Sequence, residues 1–474
     1  MNGLKHGGIV VGDAPGQPKL KQGRWAVFVE NNRVLNPRRI EAAFVFATKP
    51  EIKDALPSLE RSLPWVDARS LNSPGLVYKK LSVEGKPFVL VVDDAGIAIL
   101  DREKFRQANP GATVILVSSL EFIGCAPPHA ALERHGFVGK ADLVFYAPES
   151  SSAEECSAVM SSAIRCAEDR MNIEEGFQKK RSIFLVVDDE PRWYSQFLPV
   201  LYGIIGRRAD VMVARTYEEA AGIFIRHGDD IVCLIADVNF TRDGAMGPHG
   251  IDLAKVTREG FPRIPLIIAS KAEIPEDLRD MAFLMPKGDE GANKELGRYV
   301  REFTGLGDFL FYDGKNLIAR ASGLDELARN IETLQVGTLE HYAEHDYFST
   351  WLYMHAFPEL GDFLRPRQDR GEKLRRVLLE AMNEKLAKVD KEPFLFLGED
   401  GSTVASAVTL DELADRIGTL DAPLLEFYSD MDGFSTWLMR KGHMQLAEEL
   451  RPVHGKGEEL RARLLEIIGR HKEG

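Results

Sequence analysis

Cysteine is scarce in this chain. Of 474 residues only four are Cys, and Cys125, Cys156, Cys166 and Cys233 stand far apart, without the paired spacing of a zinc site or a disulfide framework. Reduced, buried thiols are the expectation. Long apolar runs are also missing: no stretch approaches the ~20 apolar residues that cross a bilayer, and the N-terminus has no apolar core of a signal peptide. A cytoplasmic protein with no membrane partner follows. Nor is there an excess of positive charge, because 60 Lys and Arg against 73 Asp and Glu leave a net charge of -13. Affinity for a phosphate backbone comes from clustered Lys and Arg, so a nucleic-acid partner is not expected.

What is present suits a folded protein, with 44% hydrophobic and 28% charged residues. Single cores stop growing near ~250–300 residues, so the length predicts three or four domains. Residues 1–23 carry Gly, Pro and polar residues without periodicity and are expected to form a flexible arm. Over 24–150, apolar runs at Trp25–Val29, Pro87–Val92, Thr113–Val117 and Asp142–Tyr146 alternate with helical patterns, as a parallel sheet covered on both faces requires. Residues 151–180 read as a connecting helix from Ala153 to about Phe177, followed by the polar hinge Gln178–Ser182. Strand–helix alternation then resumes at Ile183 and runs to residue 304.

Beyond Thr304 two segments match each other. Phe309–Phe311 corresponds to Phe394–Phe396, Leu324–Leu327 to Leu410–Leu413, Phe348–Trp351 to Phe434–Trp437, and Leu364–Pro366 to Leu450–Pro452. The offset is 85 residues at the first pair and 86 at the others, longer than ordinary solenoid repeats. Two small, mostly helical α+β domains are expected, at 305–389 and 390–474, each a β-hairpin followed by three or four helices. His341, Tyr342, Tyr347, Phe348 and Trp351, with Phe427, Tyr428, Phe434 and Trp437, fall at helical spacing, for which a small aromatic core is the default role.

The chemistry concentrates at 181–304. Ile183–Val187 is an apolar strand that ends in three acids, Asp188, Asp189 and Glu190. Like charges gathered at a strand end favour a divalent cation, and strand C-termini of open α/β sheets are where ligands bind. A second strand, Ile231–Ala236, delivers Asp237 to the same edge, where a carboxylate beside Mg²⁺ can attack a phosphoryl group. Asn239 can offer its backbone carbonyl to the metal. Strands at Pro265–Ala269 and Met281–Met285 lead to Ser270 and Lys287, whose hydroxyl and ammonium can hold a phosphoryl oxygen.

The order Asp-Asp, Asp, Ser, Lys at successive strand ends resembles the receiver domain of two-component response regulators. The resemblance implies a flavodoxin-like five-stranded parallel sheet, Mg²⁺ held by Asp188, Asp189, Asp237 and Asn239, and Asp237 as phosphoryl acceptor. Ser270 would be the switch hydroxyl and Lys287 the phosphate partner. It also implies a histidine kinase or phosphotransfer protein as donor, and no enzymatic activity beyond self-phosphorylation and dephosphorylation. Residues 24–150 are similar to a degenerate second receiver, with Asp93 at one strand end but no acid pair after Trp25–Val29. The C-terminal repeats are similar to regulatory parts of bacterial proteins like phosphoenolpyruvate synthase and pyruvate phosphate dikinase. The resulting expectation is an atypical response regulator, homo-oligomeric, that signals to an output protein through protein contacts. The alternatives are a self-assembling scaffold and a regulatory subunit of a phosphoenolpyruvate-handling enzyme.

Overall fold

The computed structural model describes residues 40–81, 87–121, 140–174, 182–271, 282–288, 291–314, 316–365 and 369–472. Its first sheet holds β1 (Ala42–Phe46), β2 (Asp67–Ser70), β3 (Phe88–Val92), β4 (Thr113–Ser118) and β5 (Leu143–Tyr146), all parallel, in the order β2-β1-β3-β4-β5. Every residue of β1 and β3 is buried, which is why these strands are unbroken apolar runs and not alternating ones. The strand expected at Trp25–Val29 lies outside the described residues, and Ala42–Phe46 is the first strand the structure describes. The edge strand β2, Asp67-Ala-Arg-Ser70, is polar and half exposed, so it left no hydrophobic signal.

The second sheet repeats this plan with β6 (Ile183–Val187), β7 (Asp210–Ala214), β8 (Ile231–Asp237), β11 (Leu266–Ser270) and β12 (Phe283–Pro286), in the order β12-β11-β8-β6-β7 and again parallel. Between β8 and the helix His249–Gly260 the chain makes a hairpin of β9 (Phe240–Arg242) and β10 (Ala245–Gly247). Its two-residue turn, Asp243-Gly244, has positive φ at both positions, 51° and 77°, the turn geometry that matches the twist of paired strands.

One hydrophobic cluster joins the two sheets. It runs from Val45, Val91 and Ile115 of the first through Met160, Ala163 and Ala167 of the helix Ala153–Glu174 to Phe184, Val186 and Ile267 of the second. That helix packs against β5 and β7, and against the helix Pro191–Ile205. Its small residues let the layers approach closely, and burial on several sides excludes the role of an exposed tether.

Each C-terminal repeat is an antiparallel hairpin followed by five helices among the described residues: β13 (Phe309–Asp313) with β14 (Asn316–Ala321), and β15 (Phe394–Leu397) with β16 (Thr403–Ala407). The sequence suggested three or four helices. The extra break falls at Asp346 and Asp432, both left-handed with φ of 59° and 53°, where one amphipathic run becomes two short helices. The repeated aromatics form the two cores. Phe309 stacks on Phe348 at 5.1 Å and Phe394 on Phe434 at 5.3 Å, while Tyr342 and Tyr428 accept from the backbone of Tyr312 and Leu397 through their hydroxyls. No helix of the described residues is long and apolar enough to cross a membrane.

Candidate functional site

β6 and β8 end side by side, with Val187 opposite Ala236. The residues that follow, Asp188 and Asp189 on one strand and Asp237 on the other, therefore meet at the carboxyl edge of the sheet. One carboxylate oxygen from each lies within 4.8 Å of those from the other two, and all three side chains are buried or nearly so. Local hydrogen bonds aim them. Asp188 Oδ1 accepts the Glu190 N–H at 2.9 Å, turning the chain into the helix Pro191–Ile205, and Asp237 Oδ1 accepts the Val238 N–H at 2.7 Å.

Lys287 reaches the cluster from the end of β12. Its N–H donates to Ser270 O at 3.0 Å, extending the pairing of β11 and β12 by one residue. Its Nζ lies 2.6 Å from Asp188 Oδ2 and 2.8 Å from Asp237 Oδ2. Burial, opposed by Lys287 and reinforced by the charge of Asp237, pushes the Asp188 carboxyl up to about 7. Burial lowers the affinity of Lys287 for its proton, but attraction to Asp188 and Asp237 outweighs this and the ammonium is held above its ordinary value. Lys287 pairs with two of the three carboxylates, and a hard divalent ion with oxygen ligands is the kind of group that such a gathering of acids can hold.

Ser270 is buried at the end of β11, one residue beyond the Ala269–Asp237 pair. Asn239 is exposed in the turn after β8. Asp188, Asp189, Asp237 and Lys287 are thus brought together, with Ser270 on the adjoining strand.

Sequence reasoning missed three residues around them. The Trp193 indole donates to Glu190 Oε2 at 2.7 Å, and its ring lies under the ammonium groups of Lys271 at 4.4 Å and Lys287 at 5.6 Å. Trp193 and Lys271 thus form one wall of the site. Their signal was a Trp in the first helical turn after the acids and a Lys directly after Ser270. The third is Gly250, where a Cβ would stand 1.9 Å from Asp237 O.

No protein-family model matches, and no curated protein matches. Among solved structures, a protein of Salmonella typhimurium LT2 described as sugar-binding shares 12% identity, covers 58% of this chain and 90% of its own, and has a TM-score of 0.20. Tagatose-6-phosphate ketose/aldose isomerase from Escherichia coli shares 13%, over 57% and 83%, with a TM-score of 0.20. A Clostridium difficile 630 protein described as a phosphosugar isomerase shares 10%, over 58% and 86%, with a TM-score of 0.19. No family model and no curated protein supports the identification as a two-component receiver, and none of these solved structures is described as a response regulator, so that identification is corrected, together with the phosphorelay function attached to it. The exclusion of enzymatic activity, which rested on that identification, is withdrawn with it. At such TM-scores the likeness itself carries no argument about this chain's fold, substrate or activity.

The first sheet holds an informative counterpart of the site. Phe46 lies opposite Val92, so Ala47 and Thr48 stand where Asp188 and Asp189 stand in the second sheet, and Asp93 stands where Asp237 does. Asp93 Oδ2 accepts from Thr48 N at 2.5 Å, Thr48 Oγ1 at 2.8 Å and Lys49 N at 2.9 Å, and Oδ1 accepts from Gly96 N at 2.7 Å. Its charge is satisfied by four protein donors. The missing acid pair, expected after Trp25–Val29 at Glu30–Asn32, lies outside the described residues there. The same lack is seen after β1, where donors replace ligands.

Proposed function

We propose that the second sheet binds a divalent cation, Mg²⁺ in the cell, through Asp188, Asp189 and Asp237, and with it a phosphate-bearing ligand. The observation that carries this reading is the gathering of three buried carboxylates within 4.8 Å around one lysine. We also propose that both parallel sheets are flavodoxin-like units. In that strand order the reversal of winding lies between β6 and β8, and ligands of such folds bind outside the strand ends at that point. On this reading the chain divides into an N-terminal arm (1–23), a first unit (24–150), a connecting helix (151–180), the cation-binding unit (181–304) and two repeats (305–389 and 390–474).

Bound here, Mg²⁺ supplies positive charge to phosphate oxygens. The chain's own groups do the rest. The Asn239 carbonyl offers a further oxygen ligand, the Ser270 hydroxyl donates to a phosphate oxygen, and the Lys287 ammonium pairs with the anion as well as with its carboxylates. Trp193 walls one side against water.

Isothermal titration of the full chain with Mg²⁺ or Mn²⁺ tests this. One ion per chain is expected, with Asp189→Asn and Asp237→Asn each weakening binding by at least about tenfold, the equivalent of about 1.4 kcal/mol. Inorganic phosphate should bind this unit only when the cation is present. Unchanged affinity in both variants would end the proposal.

A further inference from the structure

A second site lies away from the carboxylate cluster. Where the helix Leu56–Ser62, the helices Ala153–Glu174 and Pro191–Ile205, and the second repeat meet, a cleft of about 960 Å³ opens. That is at the upper end of the volumes typical of small-molecule sites, roughly 300–1,000 Å³.

Three parts of the chain build its floor. The Arg207 guanidinium lies 4.5 Å over the Trp65 ring, and Arg207 donates through its N–H to Asp432 Oδ2 at 3.1 Å and through Nε to Asp430 O at 3.0 Å. His454 meets Trp65 edge-on at 6.3 Å. These groups serve one another.

The walls differ from the floor. Arg61 from the first unit, and Lys456 and Arg463 from the second repeat, line the cleft. Among the described residues none of these three has a carboxylate partner, and Arg61 donates only to Ser58 Oγ, at 2.7 Å. Ser157 of the central helix also lines it, 2% exposed, and its hydroxyl has no hydrogen-bond partner among the described residues. A buried hydroxyl in that state is costly unless something else completes it. Acids are present as well, yet six Lys or Arg against four Asp or Glu line the cleft. Its balance is positive in a chain whose net charge is -13.

We infer that this cleft binds a phosphorylated small molecule, with its anionic end paired to Arg61, Lys456 and Arg463 and Ser157 hydrogen-bonded to the ligand. The ligand joins the first unit to the second repeat. No carboxylate cluster lies in the cleft, so binding needs no divalent cation, which separates it from the site at Asp237.

The test is calorimetric titration of the full chain with inorganic pyrophosphate and with ribose 5-phosphate, both in EDTA. Binding to the wild type is expected, weakened about tenfold by Arg61→Ala or Arg463→Ala as a charge-assisted hydrogen bond is lost. Weakening by Ser157→Ala and unchanged affinity in Asp189→Asn are expected too. Arg61 and Arg463 are exposed, so these variants should fold, which circular dichroism will verify. No binding to the wild type overturns the inference. So does an Arg61→Ala/Arg463→Ala double variant that binds as the wild type does, or loss of binding in Asp189→Asn.

Discussion

The Lys287 ammonium lies 2.6 Å from Asp188 Oδ2 and 2.8 Å from Asp237 Oδ2, shared between two of the three gathered carboxylates. Removing one partner of a buried ion pair leaves the other uncompensated, which commonly costs several kcal/mol. Lys287→Met should therefore destabilise the protein in EDTA by roughly 3 kcal/mol, measured by denaturant unfolding, and Mg²⁺ should return most of that loss. If Mg²⁺ stabilises this variant no more than it does the wild type, cation and ammonium do not share the same carboxylates.

Gly250, in the first turn of the helix His249–Gly260, and Gly260 at its end should behave in opposite ways. A Cβ at residue 250 would meet Asp237 O at 1.9 Å, whereas at residue 260 nothing lies within 4 Å. Gly250→Ala must push the helix from the strand end and should cost about 2 kcal/mol, in the range for overpacking, with weaker Mg²⁺ binding. Gly260→Ala should be neutral, or stabilising by about 0.5 kcal/mol. Thermal melts with and without Mg²⁺ give both numbers, and equal effects would remove the case for a close approach at Asp237.

Much of this arrangement was legible before any coordinates. Buried parallel strands are continuous apolar runs, so β3, β4, β6, β8 and β11 were visible with Asp188, Asp189, Asp237 and Ser270 at their ends. Strands β2 and β7 and the hairpin β9–β10 were not named, because two begin with Asp and the hairpin strands are only three residues each. Trp193 was hidden for a different reason. Its role depends on the turn that Asp188 makes with the Glu190 N–H, and no periodicity reports such a turn. In the first sheet, the expected lack of an acid pair was read after Trp25–Val29, which lies outside the described residues. The donors that replace the ligands, Thr48 and Lys49, follow β1 at Ala42–Phe46, a run that had not been singled out.

His355 should make stability depend on pH. It is buried, stacked on Trp351 at 3.8 Å between ring centroids, and its Nδ1 donates to the Trp351 carbonyl at 3.0 Å. Burial, then the nearby Arg208 guanidinium, hold the imidazole down to about 3. The unfolded chain takes up this proton near pH ~6.5. Between these values the unfolded state binds more protons, so stability falls as pH drops through the window, on the order of 1 kcal/mol per pH unit. Asp169 and Asp188, raised to about 6 and about 7, act in the opposite direction, so the histidine is isolated by comparison with His355→Gln. The wild type should lose more stability than the variant between pH 6.5 and 4.5 in urea titrations. Parallel pH profiles would mean that the ring is protonated without difficulty in the fold.

The two repeats share an ion pair that explains why their Leu-Arg-Pro and Phe-Ser-Thr-Trp motifs recur together. Arg365 Nε lies 2.6 Å from Asp346 Oδ2, and at the equivalent positions Arg451 lies 3.4 Å from Asp432 Oδ2. Their surroundings differ. The first pair keeps 17% and 13% of its side-chain surface exposed, the second 3% and 3%. Asp432 also accepts the Arg207 N–H from the end of the helix Pro191–Ile205, so it fastens the second repeat to the unit of the second sheet. Asp→Asn preserves an acceptor and a residue type that tolerates the left-handed backbone, and removes only the charge. Asp346→Asn should then cost about 1 kcal/mol, near the range of exposed pairs, and Asp432→Asn about 2–3 kcal/mol, because the buried Arg451 is left with Glu448 as its carboxylate partner and the buried Arg207 loses a nearby negative charge. Denaturant unfolding of both variants decides the matter. A larger loss at residue 346 than at 432 would show that the repeats stand on their own folding and not on the buried junction.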